Sequence, residues 1–600
     1  MSTGGGGVVI TSTGKSELEE SLVSGGNKLH QTTASEKVLG TTLKEKIAKK
    51  VVASIDTSKC VNCGICREIC PADAIDEYQR QICRICPTCT AMPGMSVGKM
   101  KSLPTETSCT SQCPLGISPQ GYIGLTKAGK YEEAYKLIWD KNPLLSVCAR
   151  VCHHPCELGC KRGILVDEPI KIREIKRYLS EKVDYQPKKY VTMYEEKVAI
   201  IGAGPAGLTA GHYLASLGYD VTIYDEAHEA GGMLIRGIPE FRLDREVVKK
   251  EVQKLVDAGL KIQLDSKINQ SSIEELKTEY DVIVVAAGTP KSKELFIAGW
   301  RNAGIMKAMD FMERINNKQN MRRHVGQLFE FKDGRAVIIG GGSVAVDCAR
   351  TALRVGASKV TVVCLEEGEA VPAHAWEVEE AKEEGIEFIE GYSPVEFKAE
   401  LFPTLNSVRF EKVKSMGKND QGQFTVETDH DNVLEIPCEW VVEAIGQRKD
   451  DMWNDINEDG IFFAGDIVCN KCSVVDAMAS GKEVAYQVDS LLRGRAVKVP
   501  QLGTERLKPA PVSEKLFPYN FRKTLRPEAP MVSPEQRVHN FDEVENAFND
   551  KDAYVEVDSC LGCGYSGVNP EKCLGCGMCQ QLCPKGDVIT MIAKAEGGDE

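Results

Sequence analysis

The 600-residue sequence has no uninterrupted apolar stretch that reaches the roughly 20 residues needed to cross a membrane as a helix. Its opening, MSTGGGGVVI, lacks the basic start, apolar run and small-residue cleavage site of a signal peptide, so secretion by that route is not expected. Positive charge is also in deficit. Lysine and arginine total 74 against 87 aspartates and glutamates, a formal net charge of −13. That balance argues against a general nucleic-acid binder, which needs a cationic surface for phosphates. No nucleophilic or acid–base constellation stands out along the chain. Hydrophobic residues make up 42% and charged residues 27%, ordinary for a soluble protein and enough, at this length, for several domains.

Cysteine is abundant. Of 24 cysteines, 19 lie towards the two ends: Cys60, Cys63, Cys66, Cys70, Cys83, Cys86, Cys89, Cys109, Cys113, Cys148, Cys152, Cys156 and Cys160, then Cys560, Cys563, Cys573, Cys576, Cys579 and Cys583. A small secreted domain would use them for disulfides, but this chain is too long for that, and a reducing cytoplasm suits it better. Zinc also uses CxxC pairs. The runs Cys60-x2-Cys63-x2-Cys66-x3-Cys70-Pro71 and Cys573-x2-Cys576-x2-Cys579-x3-Cys583-Pro584 instead favour [4Fe–4S] cubanes, whose thiolates surround a compact inorganic core. In two-cluster ferredoxins the fourth cysteine of such a run ligates the other cluster. Cys70 therefore either joins Cys83, Cys86 and Cys89 or closes its own site. Pro93 stands where the second run would need its last cysteine.

Two strand–turn–helix–strand units lie between the cysteine-rich ends. In VAIIGAGPAGLTAGHYLASLGYDVTIYDE, Gly202, Gly204 and Gly207 follow an apolar strand and open a helix, and Asp225 ends the next strand. The three glycines serve the tight turn, the close approach to a pyrophosphate, and helix–strand packing; the carboxylate suits ribose hydroxyls. In RAVIIGGGSVAVDCARTALRVGASKVTVVCLEE the same pattern returns as Gly340, Gly342 and Ala345, with Glu366 and Glu367 ending the following strand. Carboxylates there would repel a 2′-phosphate and hold free ribose hydroxyls, which points to NAD(H) over NADP(H). His374 follows this unit and either orients a group or is structural. Between residues 397 and 440, VRFEKV and FTVETD alternate polar and apolar residues, as in a small antiparallel insertion.

The segment AGGMLIRGIPEFRLDREVVKKEV, residues 230–252, resembles the flavoprotein signature of the glutamate synthase small-subunit family. This family includes the flavin half of dihydropyrimidine dehydrogenase and the large subunit of NADH-dependent ferredoxin:NADP oxidoreductase. IFFAGDIVCNKCSVVDAMASGKEVA, residues 461–485, resembles its closing FAD motif. The resemblance implies FAD in the first nucleotide domain and a nicotinamide nucleotide in the second. It also implies contacts to FAD from Gly232, Gly465 and Asp466. Cys469 and Cys472 are unusual inside that motif; a CxxC beside a flavin is either redox-active or a pair of buried structural thiols.

Cys109, Cys113, Cys152, Cys156 and Cys160 resemble the family's helical cluster domain. The resemblance implies one cluster on Cys109, Cys160 and two upstream cysteines, with Cys83, Cys86 or Cys89 as substitutes for a missing pair. It implies another on Cys113, Cys152, Cys156 and a fourth ligand. Lys176 occupies that fourth position, leaving Cys148 or Glu174 to replace it. The C-terminal run gives one cluster, and Cys560 with Cys563 belongs to a second or is spare.

The expected fold is multidomain α/β: a helical iron–sulfur domain plus two Rossmann-like nucleotide-binding domains, flanked by small α+β ferredoxin-like modules. The expected boundaries are a flexible leader (1–54), a ferredoxin-like module (55–100), the helical iron–sulfur domain (101–190), FAD-binding parts (191–325 and 441–494), an NAD(P)-binding domain (326–440), an extended connector (495–550) and a C-terminal ferredoxin-like module (551–600). Together these imply an NAD(P)H-dependent flavin/iron–sulfur oxidoreductase subunit with FAD and four or five [4Fe–4S] clusters. It would be cytoplasmic and hetero-oligomeric. Its partner would be a ferredoxin or another redox subunit, within an electron-bifurcating complex among the options. The rival readings are a self-contained reductase of a small substrate and a zinc-stabilised scaffold.

Overall fold

A computed structural model describes residues 51–57, 59–79, 108–317, 331, 334–419, 424–454, 456, 458–469, 473–494, 524–568, 573–574, 576 and 578–593. Cys83, Cys86, Cys89 and Cys472, most of the expected leader, and residues 495–523 of the expected connector lie outside them. The chain divides into a large unit, Ala53–Thr590, and a small one of the two chain ends, Met1–Val52 with Met591–Glu600. Both nucleotide turns and all the described cysteines belong to the large unit.

The helical domain is built from short helices whose starts the sequence marks. Pro119–Lys127 begins at Ser118, whose side chain accepts the Gly121 N–H at 3.2 Å, with proline in the first turn. Tyr131–Trp139, Leu145–Val151 and Ile172–Lys182 come after it. Their apolar faces, including Leu125, Tyr135, Ile138, Leu145 and Ile175, are shielded from solvent and continue into the core of the first nucleotide domain.

That first domain is a five-stranded parallel sheet in the order Ile461–Phe463, Val282–Val285, Lys197–Ile201, Asp220–Tyr224, Lys261–Gln263. The second is also five-stranded and parallel: Glu387–Glu390, Lys359–Cys364, Arg335–Ile339, Trp440–Glu443, Ile305–Lys307. Its near-unbroken runs of valine and isoleucine are those of strands covered on both faces. Ile305–Lys307 pairs here, although the sequence boundary assigns it to the first domain; its pairing with Val441–Glu443, distant in sequence, decides its place. The alternating insertion forms a three-stranded antiparallel sheet, Tyr392–Lys398, Ser407–Lys418 and Phe424–Pro437.

Two segments depart from expectation. The described part of the connector, 524–550, is a packed strap rather than a loose surface linker: Arg537, Phe541, Val544 and Phe548 are all buried. Nor is the C-terminal cysteine module a separate appendage. Its strand Gly564–Val568 pairs antiparallel with Ile75–Gln79, so the two expected ferredoxin-like modules contribute strands to one sheet.

Candidate functional site

At the first glycine turn, Gly202 has φ +108° and donates its N–H to the Tyr224 carbonyl at 2.7 Å. Gly204 caps helix Pro205–Leu217 without any side-chain cap, which leaves its first amides to a ligand. A Cβ on Gly204 would meet only the Gly232 Cα, at 4.0 Å, whereas one on Gly207 would collide with the Gly202 carbonyl. The second glycine thus opens a cradle and the third permits helix–strand contact. Asp225 braces the turn, accepting the Ala203 N–H at 2.6 Å and the Ala227 N–H at 2.8 Å. Gly465 donates to Ser480 Oγ at 2.9 Å and opens the short turn Gly465–Ile467, which contains Asp466. Helix Val474–Arg493 then starts from a Ser473–Asp476 capping box. An open glycine cradle at an uncapped helix end fits the diphosphate of FAD.

The second turn repeats the design. Gly340 has φ +137°, Gly342 caps helix Ser343–Arg354 without a side-chain cap, and a Cβ on Gly342 would meet nothing within 4 Å. Ala345 is fully buried in this domain's core. Glu366 Oε2 lies 3.0 Å from where a Cβ on Gly341 would stand, so its carboxylate faces the glycine turn. Glu367 is turned away onto Lys412. His374 is structural: it opens helix Ala375–Glu383 in a capping box with Glu377, and its ring stacks on His153 (5.4 Å) and Trp376 (6.0 Å).

The structure gathers the helical domain's thiols into two groups. Cys113, Cys148, Cys152 and Cys156 lie near the Lys176 ammonium; burial lowers the Lys176 pKa, and the negative charge these sulfurs carry as thiolates raises it above its ordinary value. Burial pushes the Cys148 thiol up to about 12. Metal binding would supply the thiolate that this environment resists. Cys148 Sγ also lies 3.4 Å from Met478 Sδ on helix Val474–Arg493. Glu174 bonds Arg173 Nε at 2.9 Å instead. Cys148 is legible in the sequence only as an alternative; it lies in helix Leu145–Val151, and Cys152, the residue that ends that helix, donates its N–H to the Cys148 carbonyl at 3.3 Å.

Cys109 and Cys160 line one small pocket, about 30 Å³, together with Cys560 and Cys563. The buried Tyr122 lies near Cys156, Cys113 and Cys109. In the paired module, Cys63 and Cys66 stand close to Cys60 and to the distant Cys583. Desolvation raises the Cys63 thiol to about 12 and the Cys66 thiol to about 11. Cys579 neighbours Cys573 and Cys576. Backbone N–H groups point at several sulfurs: Ser566 and Asn62 at Cys60 (both 3.4 Å), Ala74 at Cys70 (3.3 Å) and Ala53 at Cys573 (3.4 Å). Such bonds are a known lever on cluster potential. Among the described residues no three His, Cys, Asp or Glu side chains close on a single-ion site. A cubane asks instead for four thiolates around a larger inorganic core, a different donor arrangement.

Three family models match the chain: pyridine nucleotide-disulphide oxidoreductase over residues 196–481, dihydropyrimidine dehydrogenase domain II, 4Fe-4S cluster, over 103–187, and 4Fe-4S binding domain over 53–76. The chain is 31% identical over 513 residues to the NADP(+)-dependent formate dehydrogenase subunit beta of Moorella thermoacetica, covering 76% of this chain and 70% of that protein. It is 29% identical over 525 residues to the NADPH-Fe(3+) oxidoreductase subunit beta of Geobacter sulfurreducens, covering 76% and 75%. With the NAD-dependent dihydropyrimidine dehydrogenase subunit PreT of Escherichia coli K12 it shares 30% identity over 440 residues, covering 69% of this chain and 98% of that one. Among the described residues no helix is long and apolar enough to cross a membrane. With its two nucleotide domains and its 4Fe–4S domains, the chain belongs to the FAD- and pyridine-nucleotide-dependent oxidoreductase family that includes glutamate synthase small chain and dihydropyrimidine dehydrogenase subunit PreT.

Proposed function

We propose that this chain is the nucleotide-oxidising subunit of a cytoplasmic hetero-oligomeric redox complex, one that takes electrons from NADH in preference to NADPH and delivers them to a protein partner. When bound, FAD accepts a hydride as two electrons and releases them singly to [4Fe–4S] clusters, the proton passing to solvent. The chain's own residues set the route. Gly204 and Gly342 seat the two dinucleotides, and Glu366 reads the ribose of the second. Cys113, Cys148, Cys152 and Cys156 hold the cluster next to the flavin domain. Cys60, Cys63, Cys66 and Cys583 hold an outer one, and Cys70 crosses over to join Cys573, Cys576 and Cys579, the exchange typical of two-cluster ferredoxins.

The observation that carries this reading is the succession of thiol groups from Cys148, beside Met478 of helix Val474–Arg493, to those flanking the paired strands Ile75–Gln79 and Gly564–Val568. A row of clusters ending at a surface module needs an acceptor there. Two relatives are themselves named as beta subunits, which supports a partner chain. Relatives' names divide between NAD and NADP, so the preference rests on Glu366. The many free thiols suit a reducing compartment.

Anaerobic purification of the native complex tests the proposal. Stoichiometric flavin, iron with matching acid-labile sulfide, and a copurifying redox subunit are expected. Zinc in place of iron and sulfide, or a chain that purifies alone and turns over a small organic substrate, would overturn it.

A further inference from the structure

We infer that Cys560 and Cys563 complete a [4Fe–4S] cluster whose other two ligands, Cys109 and Cys160, belong to the helical domain, so that iron joins the C-terminal segment to a site about four hundred residues earlier in the chain. This deepens the electron-transfer reading above and rests on it.

Ligand supply is the first argument. Once Cys113, Cys148, Cys152 and Cys156 gather around Lys176, the described helical domain keeps only Cys109 and Cys160, two of the four thiolates a cubane requires. Cys560-Leu561-Gly562-Cys563 is likewise an incomplete set, and the structure brings the two halves to one cavity. Ile123, Ile170 and Ile172 give the pocket an apolar wall beside Gln120, Lys161 and Arg162.

The second argument is that the C-terminal loop is clamped on both sides of its cysteines. Gln120 makes a double bond pattern to Gly564, donating to its carbonyl and accepting its N–H, each at 2.7 Å. Arg162 Nη1 donates to the Ser559 carbonyl at 2.7 Å while Asp167 holds the rest of its guanidinium. Ile170 N–H points at Cys160 Sγ at 3.4 Å. Lys161 and Arg162 line the same pocket, and these cations suit an anionic thiolate cluster.

Tyr122 lies near Cys109 of this group and near Cys113 and Cys156 of the one around Lys176. Strand Gly564–Val568 carries Ser566, whose N–H meets Cys60 Sγ at 3.4 Å. Three residues of strand separate Cys563 from Ser566, about 10 Å at the usual rise per residue. The cluster is therefore the junction between the helical domain and the terminal module.

The test uses the full chain, purified anaerobically as wild type, Cys563→Ser, Cys109→Ser and the double variant. Each single variant is expected to lose one cluster, about four irons and as many sulfides, together with the same EPR component, while flavin content stays unchanged. The double variant is expected to lose no more than either single one. Additive losses, or full iron and an unaltered EPR spectrum in Cys563→Ser, would overturn the inference. Cys560→Asp covers the case of a serine variant that does not accumulate: a carboxylate ligand keeps the iron but shifts that component's EPR signal, and an unshifted signal would overturn the assignment. Wild type without iron and sulfide would instead refute the underlying redox reading.

Discussion

Three side chains carry effects that can be read singly. Glu366 lies against the second glycine turn, where its negative charge would repel a 2′-phosphate. Glu366→Arg should reverse the ratio of kcat/KM for NADH and NADPH by at least about tenfold, equivalent to roughly 1.4 kcal/mol; an unchanged ratio would show that another group reads the ribose. Lys176 places a buried cation among Cys113, Cys148, Cys152 and Cys156. A cation there favours the more negative, reduced cluster. In an EPR-monitored redox titration, Lys176→Met should move one cluster to lower potential without loss of iron, and Lys176→Arg should restore it. His212 offers a pH test. Burial lowers its pKa from 6.5 to about 4, with Tyr190 Oη at 2.8 Å from Nδ1. Between those pH values the unfolded chain binds a proton that the folded one does not, so stability is present above pH 6.5 and is lost as pH falls towards 4. The slope from one such site is about 1.4 kcal/mol per pH unit. Denaturant midpoints measured from pH 6.5 to 5.5 should fall less steeply in His212→Gln than in wild type.

Among the elements, the strap 524–550 and the helices beneath it are held by buried charge. Arg150 and Arg177 grip Glu543, Arg173 grips Glu545, and Arg242 joins Asp347 and Glu377. Glu384 lies at the centre of another set, facing Arg350, Arg354 and Arg537. Removing one member of a buried pair costs about 3–5 kcal/mol because the survivor is left uncompensated. Glu384→Ala takes a carboxylate from three guanidiniums at once, leaving Arg354 with none while Arg350 keeps Glu380 and Arg537 keeps Glu383, whereas Arg537→Ala leaves Glu384 with two partners. The glutamate variant should therefore show the larger drop in thermal midpoint; a larger drop for Arg537→Ala would contradict this network. The same arrangement explains why 524–550 reads as a solvated connector. Its arginines and glutamates carry the composition of a surface, and only their partners in other elements, such as Arg150 and Glu384, bury them. Helix docking is set by small residues as well: a Cβ on Gly121 would come within 2.7 Å of Cys63 Cα, and one on Gly124 within 2.7 Å of Val61 Cβ. These glycines let the paired module sit directly on helix Pro119–Lys127.

For the whole molecule, legibility tracks the range of the interaction. The two nucleotide turns are readable because strand, glycines and helix lie within one local stretch: Gly202 and Gly340 adopt the turns that their spacing implies, and Gly207 lets its helix pack against the Gly202 carbonyl. The cysteine runs announce cubane chemistry for the same reason. Which run completes which cluster is not readable. That depends on the antiparallel pairing of Ile75–Gln79 with Gly564–Val568 and on the Gln120 clamp at Gly564, contacts spanning more than four hundred residues. Cys583 thereby approaches Cys63 and Cys66, and Cys563 approaches Cys109. Pairing of Ile75–Gln79 with Gly564–Val568 brings the two cysteine-rich regions together, as the proposed row of clusters requires. The central claim is that this row conducts. Its most direct test is stepwise anaerobic addition of NADH to the purified full chain, with flavin absorbance and cluster EPR recorded on the same samples. Flavin bleaching accompanied by cluster EPR signals is the expected result. Bleached flavin with clusters that stay oxidised, yet can be reduced by dithionite, would contradict the account.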